Sequence, residues 1–279
     1  MVEREKLIEK WGGKHIPAFP PPHGLYYVLW DFFIPAFTCP FPVYRVGLLA
    51  DGGKWVCGLE RVLYNRRKPI IYSLNYRTPL YSSFELDMLA RSPGCHIYGF
   101  DANATHAAPS KWPWGETDVV IDLKLKSRVH FNHFSVADRA ARRYRSLQSA
   151  MRNFGHDWVD ILKIDLEGSE FATLVSIIAD SQGKPLPFGQ LLLEVHIGWS
   201  EDMTTVDHFS QWFARLERAG LRPYYFEVSM MDVNTLRVVP AVAYLFTGQM
   251  PGKSNEMGMG EAVNMDPSEP APLDDVAGS

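Results

Sequence analysis

Several polar residues sit where an apolar run gives out, and their types are those of proton transfer and ligand holding. Val159 to Leu166 is largely apolar and ends in Asp165, with Glu167 just beyond. Leu191 to Leu193 runs into Glu194-Val195-His196. A carboxylate at the end of a buried strand costs free energy unless it is paired or wetted. Side chains in a strand alternate with period two, so Glu194 and His196 are expected on one face. An imidazole titrates near neutrality, which makes His196 the candidate base for a hydroxyl proton, oriented by Glu194 or Asp165. The same Asp165, Glu194 and His196 also have the donor types of a divalent-metal site that would lower the pKa of a hydroxyl instead. Spacing does not choose between the two uses. Upstream, Ser73-Leu74-Asn75 closes one apolar run and Asp101 follows another, Cys95 to Phe100. An acid after a second strand is where a ribose hydroxyl pair is bound in dinucleotide-type folds.

The elements that must position these residues alternate strand with helix. Pro69 to Leu74 reads as a strand, followed by a helix opened by the capping-box spacing of Ser82 and Glu85. Cys95 to Phe100 is a second strand, with further strands expected over Val119 to Leu123 and Val129 to Phe134. Arg139, Arg142, Arg143 and Arg145 fall in an Ala-rich stretch read as one helix to Phe154, with the arginines on its solvated face. Val159 to Leu166 is a buried strand, Ser169 to Asp180 a helix, and Leu191 to Ile197 a buried strand. Val206 to Ala219 is an amphipathic helix stopped by Gly220. Arg222 to Val228 and Val238 to Phe246 form an antiparallel edge hairpin. Repeated strand–helix–strand units imply an α/β fold with a mostly parallel, doubly wound sheet, which binds ligands at the carboxyl ends of its strands.

The chain has 279 residues, 46% hydrophobic and 22% charged, with a formal net charge of -4. That excludes a rod or a wholly disordered chain and argues against nucleic acid as a partner. The segment 1–42 is crowded with prolines and aromatics and reads as an arm packing on a domain over 43–247. Residues 248–279 read as a disordered tail. Leu25 to Phe37 is too short and too interrupted to span a bilayer. Cys39, Cys57 and Cys95 match no zinc or disulfide framework, so a reducing, cytoplasmic setting is expected. Nothing in the sequence fixes an oligomeric state.

The segment Lys163-Ile164-Asp165-Leu166-Glu167-Gly168-Ser169-Glu170 resembles the signature of FkbM-type methyltransferases, and Leu191 to His196 resembles their paired segment. Asp51-Gly52-Gly53-Lys54-Trp55-Val56-Cys57, Ser82-Ser83-Phe84-Glu85 and Gly99-Phe100-Asp101 are similar to stretches of a related eukaryotic methyltransferase-like domain family. The resemblance implies a Rossmann-like class I methyltransferase fold with a seven-stranded sheet and S-adenosylmethionine as methyl donor. It places Ser73, Leu74 and Asn75 beside the methionine part of the cofactor, with Glu85 shaping that loop. Asp101 falls at the ribose, and Ser135 and Val136 near the adenine. Asp165 lies beside the transferring methyl, with Glu167, Glu194 and His196 on the substrate side. By this analogy the reaction is O-methylation of a small-molecule or sugar hydroxyl. The family's first cofactor loop carries a glycine, but residues 72–80 have none. Asn75 is the residue there best able to take a left-handed turn. The alternative is a catalytically inactive methyltransferase fold acting as a binding or scaffold module. A nicotinamide-dependent oxidoreductase is disfavoured because no G-x-G-x-x-G is present. Asp51-Gly52-Gly53 is read as a fold anchor for Trp55.

Overall fold

A computed structural model describes residues 2–18, 29–35, 37–49, 52–64, 67–75, 82–102, 112–114, 122–137, 143–197, 200, 202–232 and 237–246. The expected tail over 248–279 and the expected strand residues 119–121 lie outside the described residues. The strands are β1 (Val43–Val46), β2 (Lys54–Cys57), β3 (Ile70–Asn75), β4 (His96–Phe100), β5 (Val129–Asn132), β6 (Ser135–Val136), β7 (Tyr144–Arg145), β8 (Val159–Asp165), β9 (Phe188–Glu194), β10 (Leu221–Asp232) and β11 (Arg237–Phe246). The helices are α1 (Val2–Lys10), α2 (Leu59–Leu63), α3 (Ser83–Arg91), α4 (Leu123–Lys126), α5 (Leu147–Phe154), α6 (Glu170–Asp180) and α7 (Val206–Arg218).

The central sheet is seven-stranded, in the order β10-β11-β9-β8-β3-β4-β5. Strands β9, β8, β3, β4 and β5 are parallel, and β11 runs antiparallel to both β9 and β10. This is the Rossmann-like class I methyltransferase arrangement expected from the sequence. Chain order reverses between β3 and β8, so a crevice opens beyond their carboxyl ends.

Period-two alternation sorts the sheet side chains into two cores. Tyr72, Leu74, Leu162, Ile164, Leu191 and Leu193 enter a core shared with α5, α6, α7 and the arm. Ile71, Ile97, Ile161, Leu192 and Ala243 enter the other, shared with α2, α3 and the β1–β2 hairpin. The arm contributes Trp30, stacked on Phe226 at 4.9 Å, and Phe33, edge-on to Phe209 at 4.7 Å. Such aromatic pairs each add about 1 kcal/mol beyond their area.

Four local expectations change. Leu123 opens the short helix α4, because Asp122 caps it by accepting from the Lys124 amide. The arginine-rich stretch is not one helix through 143–146. Tyr144–Arg145 pairs with Ser135–Val136, and α5 starts only after Ser146, whose hydroxyl accepts from the Ser149 amide. The Ser82–Glu85 capping box does not form, since Ser82 accepts from Trp112 Nε1 and Glu85 is drawn to Ser73 and Lys163. Asn75 is the last residue of β3 and is not among the left-handed residues, so the chain leaves that strand extended.

The β1–β2 hairpin, which nothing in the sequence pattern announced, pairs antiparallel and lies over β9 and β11. Its turn depends on Gly53, where an added Cβ would fall 2.0 Å from the Leu48 carbonyl oxygen. The expectation of unpaired cysteines is corrected too. Cys39 and Cys57 form a disulfide, because the hairpin returns Cys57 beneath the end of the arm, while Cys95 is a buried free thiol.

Candidate active site

The charged groups of the site hang on one face of the sheet. Ser73 and Asn75 of β3, Lys163 and Asp165 of β8, and Gln190 and Glu194 of β9 share the parity of Ile71, Ile161 and Leu192. They therefore face α3 and the hairpin. Asn75 is registered with Asp165, and Ile164 with Leu193, so one further step sets Asp165 beside Glu194. The polar side chains at this rim are thus levelled by strand register alone.

Each buried charge finds a partner from outside its own strand. Lys163, 2% exposed, donates to Glu85 Oε1 at 3.1 Å, and Ser73 Oγ donates to the same oxygen at 2.6 Å. Burial would lower the Lys163 pKa, but the charges of Glu85, Asp165 and Glu194 raise it above the ordinary value. Lys54, also 2% exposed, reaches down from β2, donating to Glu194 Oε1 and, at 3.1 Å, to the Gly53 carbonyl. Burial pushes the Glu194 pKa up, yet Lys54 outweighs it and the carboxyl is held below its usual range.

His196 lies two residues past the end of β9, and the alternation carries on to it. Val195 and Ile197 both enter the opposite core, and His196 falls on the side of Glu194 as expected. Glu170, the first residue of α6, fixes it there. Its Oε1 accepts from the His196 backbone amide and stands 3.3 Å from His196 Nδ1, while its Oε2 accepts from the Gly168 amide at 2.8 Å. Burial disfavours the imidazolium, but Glu170 wins, with Asp165 and Glu194 adding to it, and the His196 pKa is raised. His196 Nε2 faces Asp165 Oδ1 at 3.7 Å. Asp165 itself is pushed up to about 7, by burial and then by the Glu194 charge beside it. About a quarter of its side chain (24%) remains open to solvent.

The other expected residues are distributed around this group. Asp101 is buried at the end of β4, its amide bonded to the Asn132 carbonyl. Ser135 and Val136 are buried in β6, just after β5. Leu74 points into the opposite core. Glu167 is exposed on the rim in a left-handed conformation, φ 45°, and makes no hydrogen bond or ion pair with the described residues. Holding a non-glycine residue there costs of order 1 kcal/mol. Sequence reasoning missed Lys54, Lys163 and Glu170 as members of the site. The one signal available was the presence of lysines inside apolar strands, which demands buried counter-charges.

Donor atoms of Asp165, Glu194 and His196 lie within 4.8 Å of one another, which satisfies the spacing of a divalent-metal site. The surroundings do not fit one. The Lys54 ammonium is already in direct contact with Glu194 Oε1 and supplies the positive charge that a metal ion would bring there.

Over residues 21–239 the sequence matches the family described as "Methyltransferase domain", and the chain belongs to that family. "Probable methyltransferase-like protein 24" of Rattus norvegicus is 26% identical over 151 residues, 51% of this chain and 39% of that protein. The Homo sapiens protein of the same name is 26% identical over 151 residues, 51% of this chain and 38% of its own. The match thus spans well under half the length of these relatives. Among solved structures, a Methanococcus jannaschii fibrillarin pre-rRNA processing protein aligns over 66% of this chain and 69% of its own, at 9% identity and a TM-score of 0.41. A METTL16 methyltransferase domain aligns over 68% and 65%, at 11% identity and a TM-score of 0.41.

Proposed function

We propose that this domain transfers a methyl group from S-adenosylmethionine to a hydroxyl of a small molecule or sugar, with Asp165 taking the hydroxyl proton. The observation that carries this reading is the placing of Asp165, mostly buried beside Glu194 but about a quarter (24%) exposed at the rim, where burial and that charge push its pKa up to about 7. A base is most effective when its pKa lies near the working pH. His196, the base expected from the sequence, has its pKa raised by Glu170 against the effect of burial and faces Asp165 at 3.7 Å. Glu194 completes the pair, and Glu167 faces the acceptor from the rim.

The cofactor assignment follows the resemblance and has support from two buried acceptors. Asn75 Oδ1 and Glu85 Oε2 have no hydrogen-bond partner among the described residues. Both lie where the methionine part of S-adenosylmethionine, with its donor ammonium, is to be held by Ser73, Leu74, Asn75 and Glu85. Asp101 takes the ribose, with Ser135 and Val136 near the adenine. When bound, the cofactor supplies an electrophilic methyl on a sulfonium. The protein's part is to align the acceptor hydroxyl and remove its proton.

Calorimetry of the full chain with S-adenosylmethionine, followed by a product screen over hydroxylated small molecules and sugars, tests this. Asp101→Ala is expected to weaken cofactor binding roughly tenfold or more, as loss of hydrogen bonds to a charged group does. Asp165→Asn is expected to leave binding intact and cut transfer about 100-fold or more. The wild-type rate is expected to rise with pH through about 7 as Asp165 loses its proton. No binding at roughly millimolar cofactor, a free energy of only about 4 kcal/mol, would sink the enzyme reading. It would favour an inactive scaffold, which the absence of glycine over 72–80 also favours.

As to location, no described helix is long and apolar enough to cross a membrane. The sequence reading favours the cytoplasm, whereas the Cys39–Cys57 bridge favours an oxidising compartment, where such bonds persist. Counting thiols in native protein separates them, with one per chain for the bridged form and three for the reduced form.

A further inference from the structure

We propose that Lys54 is a positioning residue for the proton-accepting carboxylate. Its ammonium, brought in by the β1–β2 hairpin, fixes Glu194 as the anion of the Asp165–Glu194 pair, so that Asp165 is the member that takes and releases the proton. The catalytic consequence rests on the methyl-transfer reading above; the test does not.

Two carboxyl groups at neighbouring register positions, with oxygens inside a 4.8 Å cluster, cannot both ionise cheaply. The shared proton settles on the member with the poorer counter-charge. Glu194 is 5% exposed and holds the Lys54 ammonium in direct contact. Asp165 has no such contact. The imidazole facing it is 3.7 Å away, beyond hydrogen-bond length, and is tied to Glu170. Lys163, on the same face of the same strand, donates to Glu85 instead. Asn75, level with Asp165 on β3, is neutral. The groups around Asp165 therefore leave the asymmetry of the pair to Lys54.

The hairpin is built to hold that ammonium still. The Cys57 amide donates to Gln190 Oε1 at 3.0 Å, and Gln190 Nε2 returns a bond to the Cys57 carbonyl at 2.8 Å. Tyr224 Oη donates to the Trp55 carbonyl at 2.9 Å. Gln190 and Glu194 are both on β9, so the two ends of β2 are fastened to one strand, by a paired amide at Cys57 and by an ion pair at Lys54. Gly53 lets the turn close against Leu48 with no room for a side chain. A loosely held surface lysine would need none of this.

The experiment follows the carboxyl carbon of Asp165 by ¹³C NMR in the full chain labelled at aspartate, with the signal assigned by its loss in Asp165→Asn. In the wild type the midpoint is expected near 7. Lys54→Arg keeps the charge and is expected to keep the midpoint. In Lys54→Met two effects oppose, since the ammonium also lowers the Asp165 pKa directly. The proton that passes to Glu194 removes the larger charge acting on Asp165, and the midpoint is expected to fall by about one pH unit. Because that variant leaves a buried carboxyl unpaired, Lys54→Met/Glu194→Gln is measured alongside. It removes both charges, which proteins tolerate well, and the introduced amide stands in for a protonated glutamate. The same fall is expected. A midpoint that stays or rises in the double variant overturns the proposal, because burial alone would then set Asp165. Where methyl transfer is measurable, the acid limb of the pH–rate profile is expected to move with the midpoint, and Lys54→Arg to restore it. Failure to bind S-adenosylmethionine would remove the enzyme reading while leaving the titration to decide the role of Lys54.

Discussion

The two ends of the central sheet carry two clusters of titratable side chains, and they handle charge in opposite ways. At the carboxyl ends, Lys54, Glu194, Lys163, Glu85, His196 and Glu170 are buried as opposite charges in pairs. Toward the amino ends, Tyr72, Tyr98, His96, His130 and His156 pack against one another with no carboxylate in hydrogen-bond contact among the described residues. His96 Nδ1 meets His130 Nε2 at 3.2 Å, His130 stacks on Tyr98 at 4.4 Å, and Tyr72 Oη meets His156 Nδ1 at 2.7 Å. Burial is the leading cause of the lowered pKa of all three histidines, and His130 presses on both of the others. His196 is desolvated too, yet its pKa moves up, because Glu170 is there. Burial on its own lowers a histidine's pKa; a buried carboxylate beside it raises it.

The contrast is broken most forcefully in the charged cluster. Lys163→Met strands the Glu85 carboxylate in the core and is expected to cost about 3–5 kcal/mol in urea unfolding, whereas Lys163→Met/Glu85→Gln recovers most of that. An undiminished midpoint in the single variant would mean that the two charges are not coupled. In the neutral cluster the expected effect is one of pH. His96, His130 and His156 have folded pKa values below 6.5, so the unfolded chain binds more protons as the solution is acidified. Their contribution is complete above about 6.5 and is lost as pH falls through the folded values. His196 runs the other way. Its ion pair contributes fully below about 6.5 and is lost as pH rises through its raised folded value. Melting temperatures between about pH 5 and 8 in His130→Phe and His196→Gln are expected to lose slopes of opposite sign. The smallest expected effect is that of Tyr72→Phe, which removes the bond to His156 for about 1 kcal/mol.

The sheet was legible because its strands are apolar runs separated by helices whose stripes repeat every three to four residues. Asp165 and Glu194 were legible because acids at the ends of such runs need an explanation. The rest depends on partners remote in sequence. Glu85 has the spacing of a capping box, but a buried lysine 78 residues away holds it more strongly than a local cap. Glu170 reads as an ordinary acid at a helix start, yet it is what fixes His196. Cys39 and Cys57 match no spacing rule and become partners only once a hairpin without a strong sequence pattern has folded.

That hairpin also has a consequence for the order of assembly. Lys54 and Glu194 are 140 residues apart in the chain. Contacts of such separation are among the slowest to form, since the loop between them must be closed first. Strands β9 and β11 have to be in place before β2 has a surface to lie on. The ion pair at the heart of the site is therefore expected to form late in folding. A nascent or partly opened chain, however complete its sheet, presents Glu194 without its counter-ion.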